Sequence, residues 1–388
     1  MDDLRRLEDR FPAIEDLARR AKARIPHFAW EYLDSGTGRD EAMDRNAEAL
    51  AAVELLPRFL QGEQAPDPSV NLMGRRYALP FGIAPVGMSG LIWPGAERML
   101  AAAGVEFSIP YCLSTVAAAS IEDLAGHVGE MGWFQLYPPG DEGLRRDVLA
   151  RAKEAGFHTL VLTVDIPVAS RRERQRRAGL SVQAGVSKQM ASHIAMRPEW
   201  ALANAKAQKE HGKATLGTMV KYVNGSRELD VARHFFVNEW SCNPDWAYVE
   251  WLRREWEGAL VVKGILHEDD AEMCVERGVD GVWVSNHGGR QFDAAPAAIE
   301  VLPGIAERIG DRAAVIFDSG IRSGLDIARA IALGADFTFA GRAFHYGVGA
   351  LGAEGARLAA HILAEDLRNA MHQAGVPDLA TLRARRFS

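Results

Sequence analysis

Cysteine is scarce in this chain: only Cys112, Cys242 and Cys274 occur among 388 residues. They lie far apart, with no CxxC pair and no metal-ligand spacing. A disulfide scaffold and a zinc-binding module are therefore excluded, and reduced thiols in a cytoplasmic protein are expected. Basic excess is also missing. The formal net charge is −7 and the isoelectric point about 5.9, which argues against a nucleic-acid surface. No apolar run approaches the roughly 18–20 residues of a membrane-spanning helix. The first stretch, "MDDLRRLEDRFPAIEDLARRAKARIP", mixes both charge signs without an apolar core, so a signal peptide is not expected there. No GxGxxG opens a helix after the first strand, which weakens a doubly wound dinucleotide fold. No linker divides the chain, so one domain over 1–388 is expected.

What is present is a repeated pattern. Helical stretches end in glycine, and short apolar runs follow: "RAKEAGFHTLVLTVD", "EMCVERGVDGVWVSN", "ARAIALGADFTFAGR" and "ERMLAAAGVEFSIPYCLST". Gly104, Gly156, Gly278 and Gly334 stand where a helix C-terminus takes a left-handed residue. The apolar positions run consecutively, as in parallel strands buried on both faces. About eight such strands are legible, the number that closes a (β/α)8 TIM barrel. They are "PFGIAPVG", "SIPYCLST", "GWFQLY", "TLVLTVD", "GALVVKG", "GVWVSN", "AVIFDSG" and "FTFAGR". The reading is an α/β barrel over 80–345, preceded by an N-terminal helical segment over 1–79 and followed by a C-terminal helix and tail over 346–388. The interval after the fourth strand is roughly 90 residues, far more than one crossover, and predicts a functional insertion at about 170–240.

Polar residues gather where these strands end, which in a barrel is one mouth. "DSGIR" and "AGR" set Asp318, Gly320 and Arg322, then Gly341 and Arg342, after strands seven and eight. Glycines permit close backbone approach and arginines fork onto phosphate oxygens, so a phosphate-bearing cofactor or substrate is predicted; glycine turns with surface arginines are the plainer alternative. Ser114, Gln135 and Thr163 are short polar groups on apolar strands, suited to a polar heterocycle or to capping of strand ends. Lys263 needs a negative partner: an anionic ring, a Schiff-base carbonyl, or a structural carboxylate. His287 can take a proton near neutral pH, Asp165 can hold the resulting imidazolium, and Arg290 offers a planar fork to a carboxylate.

"SNHGGRQFD" closely resembles the signature of the FMN-dependent α-hydroxy acid oxidase and dehydrogenase family, which includes glycolate oxidase, flavin-type L-lactate dehydrogenase, lactate oxidase and mandelate dehydrogenase. The resemblance extends from "WEYLDSGTG" through "APVGMSG", "LSTVAAASIEDL", "FQLY", "TVDIPVASRRE", "LVVKGI" and "DSGIRSGLDI" to "AGRAF". It implies oxidation of a small (S)-2-hydroxy acid to the 2-oxo acid, with His287 as base and Asp165 as its partner. Electrons then go to FMN and on to a second acceptor: a quinone, oxygen or another. Arg290 and Arg172 are implied carboxylate binders, with Arg171 an alternative to Arg172. Tyr32 and Tyr137 are implied to contact substrate, Tyr137 also within the catalytic set. Lys263 is implied to stabilise reduced flavin. Pro85, Val86, Gly87, Ser114, Gln135, Thr163 and Ser285 are implied flavin contacts, and Asp318, Gly320, Arg322, Gly341 and Arg342 the ribityl and phosphate site.

Departures from the family pattern touch the substrate side. "RRAGL" replaces the usual "NRF" after Arg172, Val116 stands where short-chain glycolate oxidases carry tryptophan, and Gly87 where many oxidases have alanine. These predict a roomier pocket and a dehydrogenase of the lactate or mandelate kind. A peroxide-forming oxidase and a branch acting on a bulkier or peptide-derived substrate stand as alternatives, with a non-catalytic flavin binder a third. The resemblance also implies a homo-oligomer, a tetramer by analogy. Some relatives attach to a membrane through the insertion, so peripheral contact with the inner membrane face stays open.

Overall fold

The computed structural model describes residues 2–180 and 187–385. A short antiparallel hairpin pairs β1 (Val70–Leu72) with β2 (Arg75–Tyr77). Eight parallel strands close a barrel: β3 (Phe81–Ile83), β4 (Tyr111–Ser114), β5 (Gly132–Leu136), β6 (Thr159–Thr163), β7 (Ala259–Ile265), β8 (Gly281–Val284), β9 (Ala314–Phe317) and β10 (Phe337–Ala340). β10 closes onto β3 through Thr338 opposite Phe81. These are the eight strands read from the sequence.

Strand alternation explains where the polar groups point. Successive strand residues face opposite sides, so positions two apart share a face. Cys112, Trp133, Val161, Val261, Trp283, Ile316, Phe337 and Phe339 form one buried cluster inside the barrel. Leu113, Phe134, Leu160, Leu162, Val262, Val284 and Phe317 belong to the outer cluster under the helices. Two residues beyond the interior set come Ser114, Gln135, Thr163, Lys263, Ser285 and Asp318, all buried. The barrel is therefore filled by aromatic and aliphatic side chains at its N-terminal end and capped by a polar layer at its C-terminal mouth.

Two expectations are corrected. The segment before the barrel is not only helices and loops: the β1–β2 hairpin sends Leu72 and Tyr77 into the interior cluster, and the Tyr77 hydroxyl accepts from Trp133 Nε1 at 3.1 Å. Its two-residue turn sets Met73 (φ 47°) and Gly74 (φ 78°) left-handed, the backbone twist that tight hairpins favour. Second, Gly104 does not end its helix. The helix Ala96–Phe107 runs through it and is capped by Ser108 at φ 51°. A side chain at Gly104 would meet the Ile109 carbonyl at 3.0 Å, so close packing is its use. Gly156, Gly278 and Gly334 do take positive φ just past their helices.

Among the described residues, the insertion between β6 and β7 is mostly helical, from Glu173–Arg177 through the π-turn Phe236–Trp240. Trp240 is fully buried and donates its indole N–H to the Tyr137 carbonyl at 2.9 Å. Trp200 does the same to Ile92 at 3.0 Å. These anchors seat the insertion on the barrel mouth. No helix of the described residues is long and apolar enough to cross a membrane.

Candidate active site

After β8 the chain turns left-handed for three residues: His287 (φ 58°), Gly288 (φ 63°) and Gly289 (φ 75°). Positive φ is costly for a side-chain-bearing residue, so His287 is held there by its surroundings. Its N–H and that of Gly288 donate to the hydroxyls of Ser285 (3.0 Å) and Ser319 (3.1 Å). Asn286 accepts from the Gly289 N–H at 3.1 Å and forms a reciprocal pair with Asn46, 2.8 Å each way. A Cβ at Gly289 would lie 2.6 Å from the Met43 nitrogen, so only glycine lets the turn approach the helix Glu41–Ala51.

This turn aims His287 Nδ1 at Asp165, 3.0 and 3.1 Å from its two carboxylate oxygens. Burial pushes the imidazole below its usual range, with Lys263 and Arg172 adding to that and Asp165 opposing it. Burial alone would raise Asp165, but the facing imidazole and Lys263 hold it below the usual carboxylate range. The pair is thus a carboxylate held ionised against the Nδ1 side of an imidazole whose neutral form burial favours. Tyr137 is pushed well above the usual phenol range, first by burial and then by Asp165, and remains protonated.

Lys263 Nζ donates to Ser285 Oγ at 2.6 Å and pairs with Asp318 at 2.9 Å. Of the partners the sequence left open for Lys263, a carboxylate is therefore in place. Ser285 does not present a free acceptor to the mouth, since its oxygen takes both the ammonium and the His287 N–H. Gln135 Oε1 accepts from Ser114 at 2.9 Å, while Gln135 Nε2 and Thr163 Oγ1 are buried with no partner among the described residues. Two neighbouring unsatisfied groups on β5 and β6 mark a place for a polar ligand edge.

The arginines are partly diverted from the roles first read for them. The last carbonyls of the helix His27–Asp34 lack helical partners, and cations at a helix C-terminus are favourable. Arg290 Nη1 donates to the carbonyls of Tyr32 (2.8 Å) and Ser35 (3.0 Å). Arg342 donates to those of Leu33 (3.1 Å), Ser35 (3.0 Å) and Gly288 (2.9 Å). Three of the five N–H groups of Arg342 are taken in this way, which leaves about two for an anion. Arg322 turns one N–H onto its neighbour Ile321 and stacks its guanidinium 5.6 Å from the Tyr346 ring. Burial, then Arg172 and Arg342, push Arg290 down to about 9; burial, then Arg322, push Arg342 down to about 10. Buried cations depressing one another describe a site built for anions.

Arg172, at φ 44°, donates to Ser170 Oγ (3.0 Å) and Gln291 Oε1 (3.1 Å). Arg171 is exposed and faces Glu173, so of the two candidates Arg172 is the one beside Arg290. Tyr32 donates to the Gly87 carbonyl at 2.7 Å, and the Arg290 guanidinium lies 5.4 Å from its ring. The loop Pro85–Met88 is tied to the next one by the Met88 N–H on the Val116 carbonyl, 2.8 Å. Gly87 does not open the pocket as expected: a Cβ there would sit 2.6 Å from Val116 Cγ2, so valine fills the space the glycine leaves. Gly320, at φ 123°, backs onto Leu50, and Gly341 starts the helix Arg342–Leu351. Asn46, Asn286, Ser319, Ser170 and Gln291 were not singled out from sequence. "SN" and "RQ" flank the recognised residues, but their partners are remote in the chain.

The FMN-dependent dehydrogenase family model matches residues 21–388. The chain belongs to that family. It is 36% identical over 367 residues, 95% of each chain, to an L-lactate dehydrogenase of Caulobacter vibrioides, and 35% identical to one of Alcaligenes faecalis over 95% of this chain and 96% of the relative. Among solved structures it resembles the monotopic membrane protein (S)-mandelate dehydrogenase, with TM-score 0.89, 32% identity, and 95% and 97% of the two chains covered. A mandelate oxidase matches with TM-score 0.81 and 32% identity over 96% of each. This family member is an FMN-dependent hydroxy acid dehydrogenase or oxidase. The mouth fits that cofactor: orphaned donors on Gln135 and Thr163, an ammonium on Lys263, and spare arginine N–H groups where an anion is needed.

Proposed function

We propose that the protein oxidises a small (S)-2-hydroxy acid of the lactate or mandelate kind to its 2-oxo acid, with His287 as the base. The carrying observation is the Asp165–His287 pair, set beside two arginines without a carboxylate partner among the described residues. Nε2 of His287 takes the proton, from the hydroxyl or the α-carbon, and Asp165 stabilises the imidazolium. The free N–H groups of Arg290 and Arg172 take the carboxylate as a fork. The phenols of Tyr137 and Tyr32, both in that cluster, orient the reacting carbon and hydroxyl. Bound FMN supplies the two-electron acceptor. Gln135 Nε2, Thr163 Oγ1 and Lys263 would hold its ring edge, and Gly320, Arg322, Gly341 and Arg342 its phosphate arm. Pro85, Val86 and Gly87 would pass beside the ring.

The relatives' names support lactate or mandelate as substrate class. The monotopic membrane neighbour supports a membrane-side electron acceptor reached by peripheral contact. The test is anaerobic mixing of the yellow protein with L-lactate, (S)-mandelate and longer 2-hydroxy acids. At least one bleaches the flavin, and reoxidation by a quinone outpaces that by oxygen. If none bleaches it, hydroxy acid oxidation is wrong.

A further inference from the structure

Acidic side chains are sorted with care around the two arginines. The helix His27–Asp34 and the segment after it carry several, and Arg174 collects three: Glu31 at 2.6 Å and Asp34 at 2.8 Å from the helix, and Asp40 at 2.7 Å beyond it. Arg172, two residues earlier, has no carboxylate partner among the described residues. Its Nε and Nη2 meet only the Ser170 hydroxyl and the Gln291 carbonyl oxygen. Ser170 Oγ also reaches the Gln291 oxygen at 3.0 Å and the Arg290 carbonyl at 2.7 Å. The Arg172 guanidinium donating to this oxygen sets which way the Gln291 amide points, while the single Ser170 hydroxyl hydrogen is shared between that oxygen and the closer Arg290 carbonyl. Arg290, next in the chain to Gln291, is likewise held through backbone carbonyls. Both cations are thus immobilised by neutral acceptors, which orient a guanidinium without cancelling its charge.

We propose that Gln291 is a positioning residue that, with Ser170, fixes Arg172 through a neutral oxygen and keeps its charge for the substrate carboxylate, while Arg174 gathers the nearby acids. The inference rests on the functional reading above and deepens it. It identifies the feature that selects for an anionic substrate group: the absence of a competing acid at position 291. A glutamate there has nearly the same shape and would grip Arg172 more firmly, yet it would neutralise it.

That contrast supplies the test. If Gln291 were only structural, Gln291→Ala would harm more than the isosteric Gln291→Glu. If it preserves charge, the order reverses. The FMN-loaded full chain is titrated with oxalate by calorimetry, and reduced anaerobically with L-lactate and (S)-mandelate. Gln291→Ala weakens oxalate binding by about fivefold and Gln291→Glu by about fiftyfold or more, the range for a close charge pair forced to compete. The loss falls on substrate dissociation more than on the limiting reduction rate, because Gln291 makes no contact with His287 or Asp165. Failure of the wild type to bind oxalate, or an alanine variant weaker than the glutamate one, overturns the proposal. Should oxalate follow the expected order while no hydroxy acid bleaches the wild-type flavin, the functional reading falls and the charge-preserving clamp stands. If Gln291→Glu does not fold, Arg174→Gln and Arg174→Lys decide the matter. The first frees three carboxylates and lowers oxalate affinity, the second retains it, and equal affinities in both refute the sorting of charge.

Discussion

Replacing Asp165 by asparagine isolates the electrostatic part of the base. The shape is kept, and the amide oxygen can still accept from Nδ1 at the 3.0 Å now seen. What disappears is the negative charge beside an imidazole that becomes cationic as it takes the proton. Two charge centres about 4 Å apart attract by roughly 4 kcal/mol at an effective dielectric constant near 20. That corresponds to about a thousandfold in the limiting rate of flavin reduction. Substrate dissociation changes little, since Arg172 and Arg290 are untouched.

The pH profile gives a second reading of the same substitution. His287 already lies below its ordinary 6.5 because of burial, with Asp165 opposing that fall. With His287 as the proposed base, its neutral form prevails at pH 7 and the rate is expected to decline only as acid protonates it. In Asp165→Asn the opposing charge is gone, so the acid limb moves to lower pH while the plateau drops. Stopped-flow reduction under anaerobic conditions, with FMN content and melting temperature as controls, measures both. A plateau within tenfold of wild type at normal FMN content would sink the assignment of Asp165 as the imidazolium's partner.

Three further outcomes are expected. Gln135→Leu removes a buried donor that lacks a protein partner, and FMN binds about tenfold more weakly for the one hydrogen bond lost, read from fluorescence of released flavin. Gly87→Ala collides with Val116 Cγ2 and costs about 1–3 kcal/mol in urea unfolding; Val116→Ala recovers most of it, and additivity of the two would show that they do not share the space. His345 is buried and pushed down to about 4 from 6.5. Its folded value lies below its unfolded one, so as pH falls below 6.5 the unfolded chain takes the proton first. Stability then drops by about 1.4 kcal/mol per pH unit until about pH 4, and His345→Gln flattens that part of the melting-temperature profile.

The barrel and its mouth were legible because both follow from local rules. Consecutive apolar runs marked the strands, and the polar residues at their ends, Ser114, Gln135, Thr163 and Lys263, marked the mouth; that strand alternation turns them onto the interior face emerged only from the structure. His287 stood out because no core needs a histidine before two glycines. Groups whose meaning lies in a distant partner were hidden. Nothing near Gly87 announces that Val116 fills its missing methyl, and nothing in "AGR" says that Arg342 caps a helix some 300 residues earlier, at Leu33 and Ser35. Gly104 misled for the opposite reason. It looked like the helix-ending glycines of the other repeats, but the alanine-rich helix continues and Ser108 takes the left-handed position instead.

The segment before the barrel, read as an extension, packs into the candidate site. It supplies Tyr32 directly. The end of its helix His27–Asp34 offers the carbonyls that hold Arg290 and Arg342, so the two cations are oriented by backbone rather than by acids that would neutralise them. Its Asn46 braces Asn286, and its Met43 backbone presses on Gly289, on either side of the strained His287. A left-handed conformation at a non-glycine residue costs on the order of 1 kcal/mol and persists only when its surroundings enforce it. The barrel strands bring His287 to the mouth, but the chain before them keeps it aimed at Asp165. Changes at Asn46 or Met43 are therefore expected to act like changes to His287, the proposed base, although neither residue touches the imidazole.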